Sequence, residues 1–269
     1  MTYQHLEIER RGQIGLIWLN RPEKYNALSA DMWADLPKAT NELTEDSTVR
    51  VMVVAGRGPA FTVGIDLDLL ASLGATGDSE AAQRASLYRR IKKLQASFSG
   101  LADSPKPVIA AVHGYCLGAG IDLVAAADIR LASIDAVFGV RETAMGLVAD
   151  VGTLQRLPRI IGPGHVAEMV FTGRDIDAAR AQQIGLVNQV YPDVATLMEA
   201  ALELGDAIAS NSPLVVQGVK QVLRAGEGKS ISEGLDYVAL WNAAFLLSDD
   251  LNEAMSAFVD KRPPNFKGI

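Results

Sequence analysis

Strand-like and helix-like segments alternate along the first half of the chain, and this alternation limits the possible folds more than any other feature. VRVMVVAG (49–56) is a β-branched apolar run that ends at a glycine, and PVIAAVHG (107–114) and IRLAS (129–133) are further strand candidates. Segments with helical character lie around 79–102 and 119–127. Strands that alternate with helices are typical of α/β proteins with parallel strands. The sequence therefore predicts an α/β fold.

The two ends of the chain depart from this alternation. LEIERRGQIGLIWLN predicts a hairpin around Arg11-Gly12, and Ser29 is a candidate N-cap for a helix that Pro37 is expected to limit or kink. After about residue 152 helices dominate, with a short strand candidate at 186–191. Apolar stripes on the last helices need a surface to cover them, which indicates contact with another subunit. We expect a core at 1–195 and a helical oligomerisation region at 196–269.

Composition excludes several classes of protein. The 269 residues include 32 acidic and 25 basic ones, so the net charge is −7, and nucleic acid and anionic membranes are poor partners. No apolar stretch is long enough to cross a membrane. Cys116 is the single cysteine, which favours a reducing, cytoplasmic location. The three histidines are scattered, so we expect no metal site.

Two glycine-containing junctions are candidates for binding an anion or a developing oxyanion. HGYCLGAGIDL (113–123) follows a predicted strand and opens a predicted helix, and GRGPAFTVGIDLDLL (56–70) contains the same Gly-Ile-Asp-Leu sequence. Leu123 stands where a dinucleotide-binding loop needs its third glycine. Two such junctions can present two amides to one carbonyl oxygen, as acyl-transfer and enolate chemistry requires. The alternative is a pair of tight turns that bind nothing.

Three carboxylates, Asp122, Glu142 and Asp150, are candidates for proton transfer. Asp122 and Asp150 are flanked by apolar or small residues, in GIDLVAAA and MGLVADVGTL. Burial and neighbouring carboxylates both raise the pKa of an acid, so such groups can exchange protons near neutral pH. The alternative is structural: Asp150 is a helix N-cap, and Asp122 is a capping or surface residue.

Over nearly its whole length the sequence resembles the enoyl-CoA hydratase/isomerase (crotonase) family. The resemblance is carried by segments at 19–29, 60–67, 105–133, 138–162 and 171–190, respectively LNRPEKYNALS, AFTVGIDL, PKPVIAAVHGYCLGAGIDLVAAADIRLAS, FGVRETAMGLVADVGTLQRLPRIIG and FTGRDIDAARAQQIGLVNQV. The arrangement of the three acids is most similar to the dienoyl-CoA isomerases of this family. The resemblance implies a spiral of ββα turns, a helical C-terminal trimerisation region, and a trimer or a hexamer of two trimers.

The resemblance also implies a role for each site residue. The amides of Ile65 and Ala119 form the oxyanion hole, although Ala119 replaces the more usual glycine. Glu142 and Asp150 handle the protons at C2 and C6 of the acyl chain, in an order that can be exchanged, and Asp122 polarises the pair. Coenzyme A, a part of the substrate, is expected to lie along these residues: Lys24, Asn26, Ala27, Val63, Gly64, Asp66, Leu67 and Gly118.

The implied activity is the isomerisation of a 3,5-dienoyl-CoA to the conjugated 2,4-dienoyl-CoA in fatty acid β-oxidation, without metal, nucleotide or redox cofactor. A hydratase that adds water to a 2-enoyl-CoA is the first alternative. It is less favoured because Asp122 replaces a glutamate and Asp150 stands where hydratases usually carry a nonacidic residue. An RNA-binding or assembly member of the family is the second alternative, which the net charge of −7 disfavours.

Overall fold

The computed structural model describes residues 3–72, 74 and 76–269. The chain begins with the predicted hairpin, in which β1 (Leu6–Arg11) runs antiparallel to β2 (Ile14–Leu19). Gly12 takes a φ of +57° in the turn, a backbone conformation that favours glycine. The prediction of a hairpin around Arg11-Gly12 is confirmed.

A six-stranded sheet forms the centre of the fold, in the order β1-β2-β3-β4-β6-β9. All neighbours from β2 onward are parallel, as the alternation of strands and helices predicted. Every residue of β2, β3 and β4 is buried, since helices or the second sheet cover both faces. The later strands of this sheet are β3 (Val51–Gly56), β4 (Val108–Val112), β6 (Ile129–Ser133) and β9 (Gln189–Tyr191).

A second sheet of three strands stands beside the first and contains β5 (Tyr115–Leu117), β7 (Val137–Gly139) and β8 (Ile176–Asp177). β4 is followed at once by β5 and β6 by β7, so the chain passes twice from the large sheet into the small one. After β3, Thr62 makes a single parallel bridge to Cys116 of β5 and continues this pattern. The expected spiral of ββα turns is thereby confirmed.

Helix α1 (Ala30–Glu45) corrects one expectation. Ser29 caps it by accepting a hydrogen bond from the Met32 amide, but the helix continues past Pro37 to Glu45, so the proline does not limit it. Proline has no N–H for the Trp33 carbonyl four residues earlier. The Ser97 hydroxyl, on helix α3 (Glu80–Asp103), donates to that carbonyl at 2.9 Å. A tertiary hydrogen bond thus replaces the missing helical one.

The other helices continue the spiral and then form the C-terminal region. Helix α8 (Val194–Ala209) lies against the large sheet, and residue 195 falls in its first turn. The division of the chain after residue 195 stays a prediction. The predicted strand at 186–191 is shorter than expected and starts at Gln189. These helices are α2 (Leu67–Ala71), α4 (Ala119–Ala125), α5 (Thr153–Arg156), α6 (Pro163–Thr172), α7 (Ala178–Gln183), α8 (Val194–Ala209), α9 (Pro213–Ala225), α10 (Ile231–Phe245) and α11 (Asp249–Asp260).

The last three helices leave much apolar surface uncovered. α10 has no buried residue, and large apolar side chains along α9, α10 and α11 are exposed: Val215, Val219, Leu223, Ile231, Leu235, Leu240, Phe245, Met255, Phe258 and Val259. In the part of the chain that the structure describes, no helix is both long and apolar enough to cross a membrane.

Candidate active site

The two glycine-containing junctions lie side by side, as their shared sequence suggested. The Thr62 amide donates to the Tyr115 carbonyl at 2.8 Å, and the Leu117 amide donates back to the Thr62 carbonyl at 3.1 Å. Gly64 has a φ of +92°, and a β-carbon on it would lie only 2.7 Å from the Leu117 carbonyl oxygen. Only glycine permits this close approach of two backbones.

This pairing puts two unused amides next to each other. A β-carbon at Gly64 would lie 3.3 Å from the Ala119 nitrogen, so the backbone just before Ile65 contacts the start of α4. Within the described residues, neither the Ile65 nor the Ala119 amide donates a hydrogen bond to the protein. Amides held in this way suit a carbonyl oxygen that gains negative charge. The geometry supports the predicted oxyanion pair.

Asp122 is fully buried on α4, at 0% exposure. Its Oδ1 accepts a hydrogen bond from the Thr153 amide at 2.5 Å, whereas its Oδ2 is buried without a partner among the described residues. Burial raises the pKa of Asp122 to about 6. The surface alternative is therefore wrong. The capping alternative holds in part, because Thr153 is the first residue of α5.

Glu142 follows β7 and brings a second carboxyl to the same place. A β-carbon on Gly118 would lie 3.5 Å from Glu142 Oε1, so this carboxyl sits beside the residue that precedes the Ala119 amide. Glu142 Oε2 is buried without a partner among the described residues. Burial, followed by the negative charge of Asp122, raises the pKa of Glu142 to about 7. Glu142 can therefore both accept and release a proton near neutral pH.

Asp150 is the third acid of the site and the most accessible, being exposed in the single chain. Partial burial of its carboxyl raises its pKa. Its negative charge also raises the pKa of Asp122 and of Glu142, which places the three carboxyls in one electrostatic cluster. Gly152, and not Asp150, is the N-cap of α5, so the structural alternative for Asp150 is wrong.

The arrangement therefore combines two amide donors with three acids whose pKa values are all raised. Such a site can polarise a carbonyl oxygen while one carboxylate removes a proton and a second carboxyl returns one. Exposed apolar side chains at Met145, Leu147 and Val148 lie on the segment between Glu142 and Asp150. Among the described residues, no group of three or more His, Cys, Asp or Glu side chains is placed to hold a metal ion.

The backbones of the residues predicted to contact coenzyme A are brought together. The Leu28 amide donates to the Gly64 carbonyl at 2.8 Å, and the Val63 amide donates to the Tyr25 carbonyl at 3.1 Å. The segments Lys24–Ala27, Val63–Leu67 and Gly118 thus share one edge of the site. Lys24 and Leu67 are exposed there.

Two of these predicted contact residues use their polar side chains within the protein. Asn26 is fully buried, and its amide group donates to the carbonyls of Arg57 at 2.9 Å and Ala60 at 2.7 Å. Asp66 pairs with Arg21 and accepts from the Asp68 amide at 2.8 Å. Contact between coenzyme A and these two residues stays a prediction. Because their side chains already bind other parts of the protein, we expect such contact to involve their backbone atoms.

Sequence reasoning missed two residues that shape the acid cluster. Thr153 supplies the amide that holds Asp122, and the positive charge of Arg156 lowers the pKa of Asp122. The sequence signal was the Gly152-Thr153 pair, which begins two residues after Asp150, at the start of a helical stretch.

Comparison with known proteins relates the sequence of this chain to one family. A family profile described as enoyl-CoA hydratase/isomerase matches residues 9–269. A mitochondrial Δ(3,5)-Δ(2,4)-dienoyl-CoA isomerase of Dictyostelium discoideum is 43% identical over 98% of this chain and 92% of its own. The peroxisomal protein of the same name from Arabidopsis thaliana is 41% identical over 98% of both chains.

A solved structure supports the same relationship at the level of the fold. The crystal structure of an enoyl-CoA hydratase from Bacillus anthracis is similar to this chain with a TM-score of 0.89 and 32% sequence identity. The similarity covers 99% of this chain and 100% of the hydratase. The fold is thus shared with a hydratase. The fold alone therefore does not distinguish isomerisation from hydration, and that distinction depends on the acids of the site.

Proposed function

This chain belongs to the enoyl-CoA hydratase/isomerase family, and from that premise we propose that it isomerises a 3,5-dienoyl-CoA to the conjugated 2,4-dienoyl-CoA. The cluster of Asp122, Glu142 and Asp150 beside two unused amides is the observation that carries the proposal. The relatives named as dienoyl-CoA isomerases, at 41% and 43% identity over almost the whole chain, support it.

The reaction needs one proton removed and one returned. Glu142 takes a proton from C2, and the electron pair of that C–H bond spreads over the dienolate as far as the thioester oxygen, where the Ile65 and Ala119 amides stabilise the charge. Asp150, which starts the cycle protonated, then gives its proton to C6, so the double bonds move from positions 3 and 5 to positions 2 and 4. Before the next turnover Glu142 releases the proton from C2 to water and the exposed Asp150 takes one up. Proton transfer by each acid is worth roughly 10²–10⁴-fold in rate.

Two carboxyls are required because C2 and C6 lie at different places along the acyl chain. A hydratase must instead position a water molecule at C3 of a 2-enoyl-CoA, for which Asp122 and Glu142 would be the available pair. Asp150 gives the cluster an accessible third acid, which favours the isomerase. Asp122, held by Thr153, has no direct proton to move and polarises the other two acids.

A direct comparison of two substrates tests the proposal. Purified protein receives a 3,5-dienoyl-CoA in one assay and a 2-enoyl-CoA in another, and the absorbance of the conjugated diene is compared with hydration. We expect rapid diene formation and little hydration. Glu142→Gln and Asp150→Asn should each lower isomerisation at least about 10²-fold while retaining acyl-CoA binding. Faster hydration than isomerisation would replace the proposal by the hydratase alternative.

We also propose that the protein is a trimer or a dimer of trimers. The exposed apolar side chains of α9, α10 and α11 support association, because a single chain leaves them in water. Light scattering measures the assembled mass. Leu223→Glu, a change at a side chain that is 70% exposed, should shift the protein towards monomer.

The compartment that we propose is the cytoplasm, on the basis of the chemistry of the chain. The single cysteine, Cys116, is buried and free, so no oxidising environment is needed. The similar isomerases of Dictyostelium and Arabidopsis are named as mitochondrial and peroxisomal. Cell fractionation distinguishes these locations.

A further inference from the structure

Residues 150–153, here called the acid strap, carry two parts of the acid cluster within four positions. Asp150 contributes its carboxyl, and the Thr153 amide donates to Asp122 Oδ1 at 2.5 Å. Between them, Gly152 has a φ of +140°, a conformation that L side chains rarely adopt. The position of this short segment therefore fixes both the second proton-transfer group and the orientation of Asp122.

Arg156 lies across the acid strap and connects it to α3. Its Nη2 donates to Ser99 Oγ at 3.0 Å, and its Nη1 approaches the Val151 carbonyl at 3.4 Å. The guanidinium fills the space over Gly152, where a β-carbon would lie only 1.9 Å from Nη1. Gln95, also on α3, donates to the Asp150 carbonyl at 2.6 Å. Arg156 thus leaves no room for a side chain at position 152.

Arg156 also supplies charge to a site that otherwise contains acids. The ionisable groups that act on or face Asp122 are Cys116 on β5, Glu142 after β7, Asp150 on the acid strap and Arg156 on α5. Of these, Arg156 is the cation. Burial lowers the pKa of Arg156, the negative charges of Asp122 and Asp103 raise it, and the positive charge of Arg224 lowers it further. An arginine keeps its proton throughout the working pH range of proteins.

We propose that Arg156 is a positioning residue of the reaction: it holds the acid strap against α3 and brings a positive charge to the acid cluster. This inference rests on the proposed isomerase function. An ionised Asp122 favours proton uptake by Glu142, which is the step at C2. Without Arg156, Asp122 holds its own proton more tightly, so a higher pH is needed before Asp122 is ionised. A neutral Asp122 no longer raises the pKa of Glu142, which makes Glu142 a weaker base for the proton at C2.

Four variants separate charge from packing. Arg156→Met removes the charge and keeps much of the length of the side chain, whereas Arg156→Lys keeps the charge but loses the planar fork. Ser99→Ala removes the neutral hydrogen-bond partner of Arg156. Ser99→Asp leaves Arg156 in place and sets an opposite charge beside it. Each is assayed for kcat and KM across pH, for acyl-CoA binding, and by infrared titration of the protonated carboxyl band.

For Arg156→Met we expect kcat to fall about tenfold or more with KM nearly unchanged, and the acid limb of the kcat profile to move up by about one pH unit. Arg156→Lys should retain the acid limb while kcat falls, and Ser99→Ala should also retain it. Ser99→Asp should move the limb upward, so the charge effect is measurable even where Arg156→Met does not fold. An unmoved acid limb in Arg156→Met or in Ser99→Asp would overturn the inference.

Failure of the proposed function gives a different result. If the wild-type protein does not isomerise 3,5-dienoyl-CoA, the function falls, but the infrared titration still reads the effect of Arg156 on the carboxyls. If the wild-type protein isomerises and the carboxyl band of Arg156→Met titrates at the wild-type pH, only the role of Arg156 falls.

Discussion

Replacing Glu142 by glutamine should make the protein more stable at alkaline pH at the same time as it removes activity. In the folded chain burial raises the pKa of Glu142 to about 7 from its ordinary value of 4.5. The folded state therefore binds this proton more tightly than the unfolded state, and the free energy of unfolding falls as pH rises from about 4.5 to 7. Glutamine has no charge to lose, so the variant should lack this contribution.

The structure gives the size of the effect. Each pKa unit corresponds to about 1.4 kcal/mol, so the full change from 4.5 to about 7 is on the order of 3 kcal/mol. Between pH 5 and pH 8.5, most of that range is crossed, and the stability of the variant relative to wild type should rise by about 2–3 kcal/mol. Any cost of burying the glutamine amide is similar at both pH values and cancels in this comparison.

Urea unfolding at pH 5 and pH 8.5, at one protein concentration, measures this difference. Glu199→Gln is the matched control, because it makes the same chemical change at an exposed position of α8. The control should follow wild type at both pH values. If Glu142→Gln also follows wild type within about 0.5 kcal/mol, the Glu142 carboxyl is not held in the charged, water-poor cluster described above, and its assignment as the base loses its physical basis.

Three further substitutions test other parts of the structure. Asp150→Asn should stop proton return at C6 while Glu142 still exchanges the C2 proton, so deuterium exchange at C2 should persist without diene formation. Gly64→Ala should lower kcat at least about 10²-fold, because its β-carbon would push the Leu117 carbonyl away and separate the two amides; unchanged kcat would contradict the oxyanion assignment. Ser97→Ala should cost about 1–3 kcal/mol in urea unfolding, since it leaves the buried Trp33 carbonyl without a donor, whereas the exposed Ser79→Ala tests only an N-cap.

Local patterns in the sequence were sufficient for the elements and for the meeting of the two glycine junctions. Strand, helix and cap signals depend on neighbouring residues, and Ser29 caps α1 as predicted. The shared Gly-Ile-Asp-Leu sequence indicated that the two junctions are similar turns, whereas the choice of the Ile65 and Ala119 amides came from the family resemblance. Parallel strands end at the same edge of a sheet, so equivalent turns are brought together without any information on distant contacts.

Features that depend on partners distant in sequence were not predictable in this way. Pro37 indicates a helix break unless Ser97 is known to replace the lost hydrogen bond. From the sequence, Asp122 is equally compatible with a capping residue or a surface acid, and only the structure shows that it is buried against α5. For Arg156, the sequence gives no sign that its side chain turns back over Gly152 towards the acids. In each case a tertiary contact overrides a local preference.

The site has two tasks, binding a carbonyl oxygen and transferring protons, and the main-chain bridge between Thr62 and Cys116 belongs only to the first. Main-chain pairing sets the spacing of the Ile65 and Ala119 amides, which we propose receive the thioester oxygen, so a change of side chain that leaves this pairing undisturbed leaves the spacing intact. Proton transfer, in contrast, depends on side chains that stand on segments outside this pairing. In such a fold, substitutions of the acids can change which carbon atoms of a bound acyl group lose and gain protons, while the binding of its carbonyl oxygen stays the same.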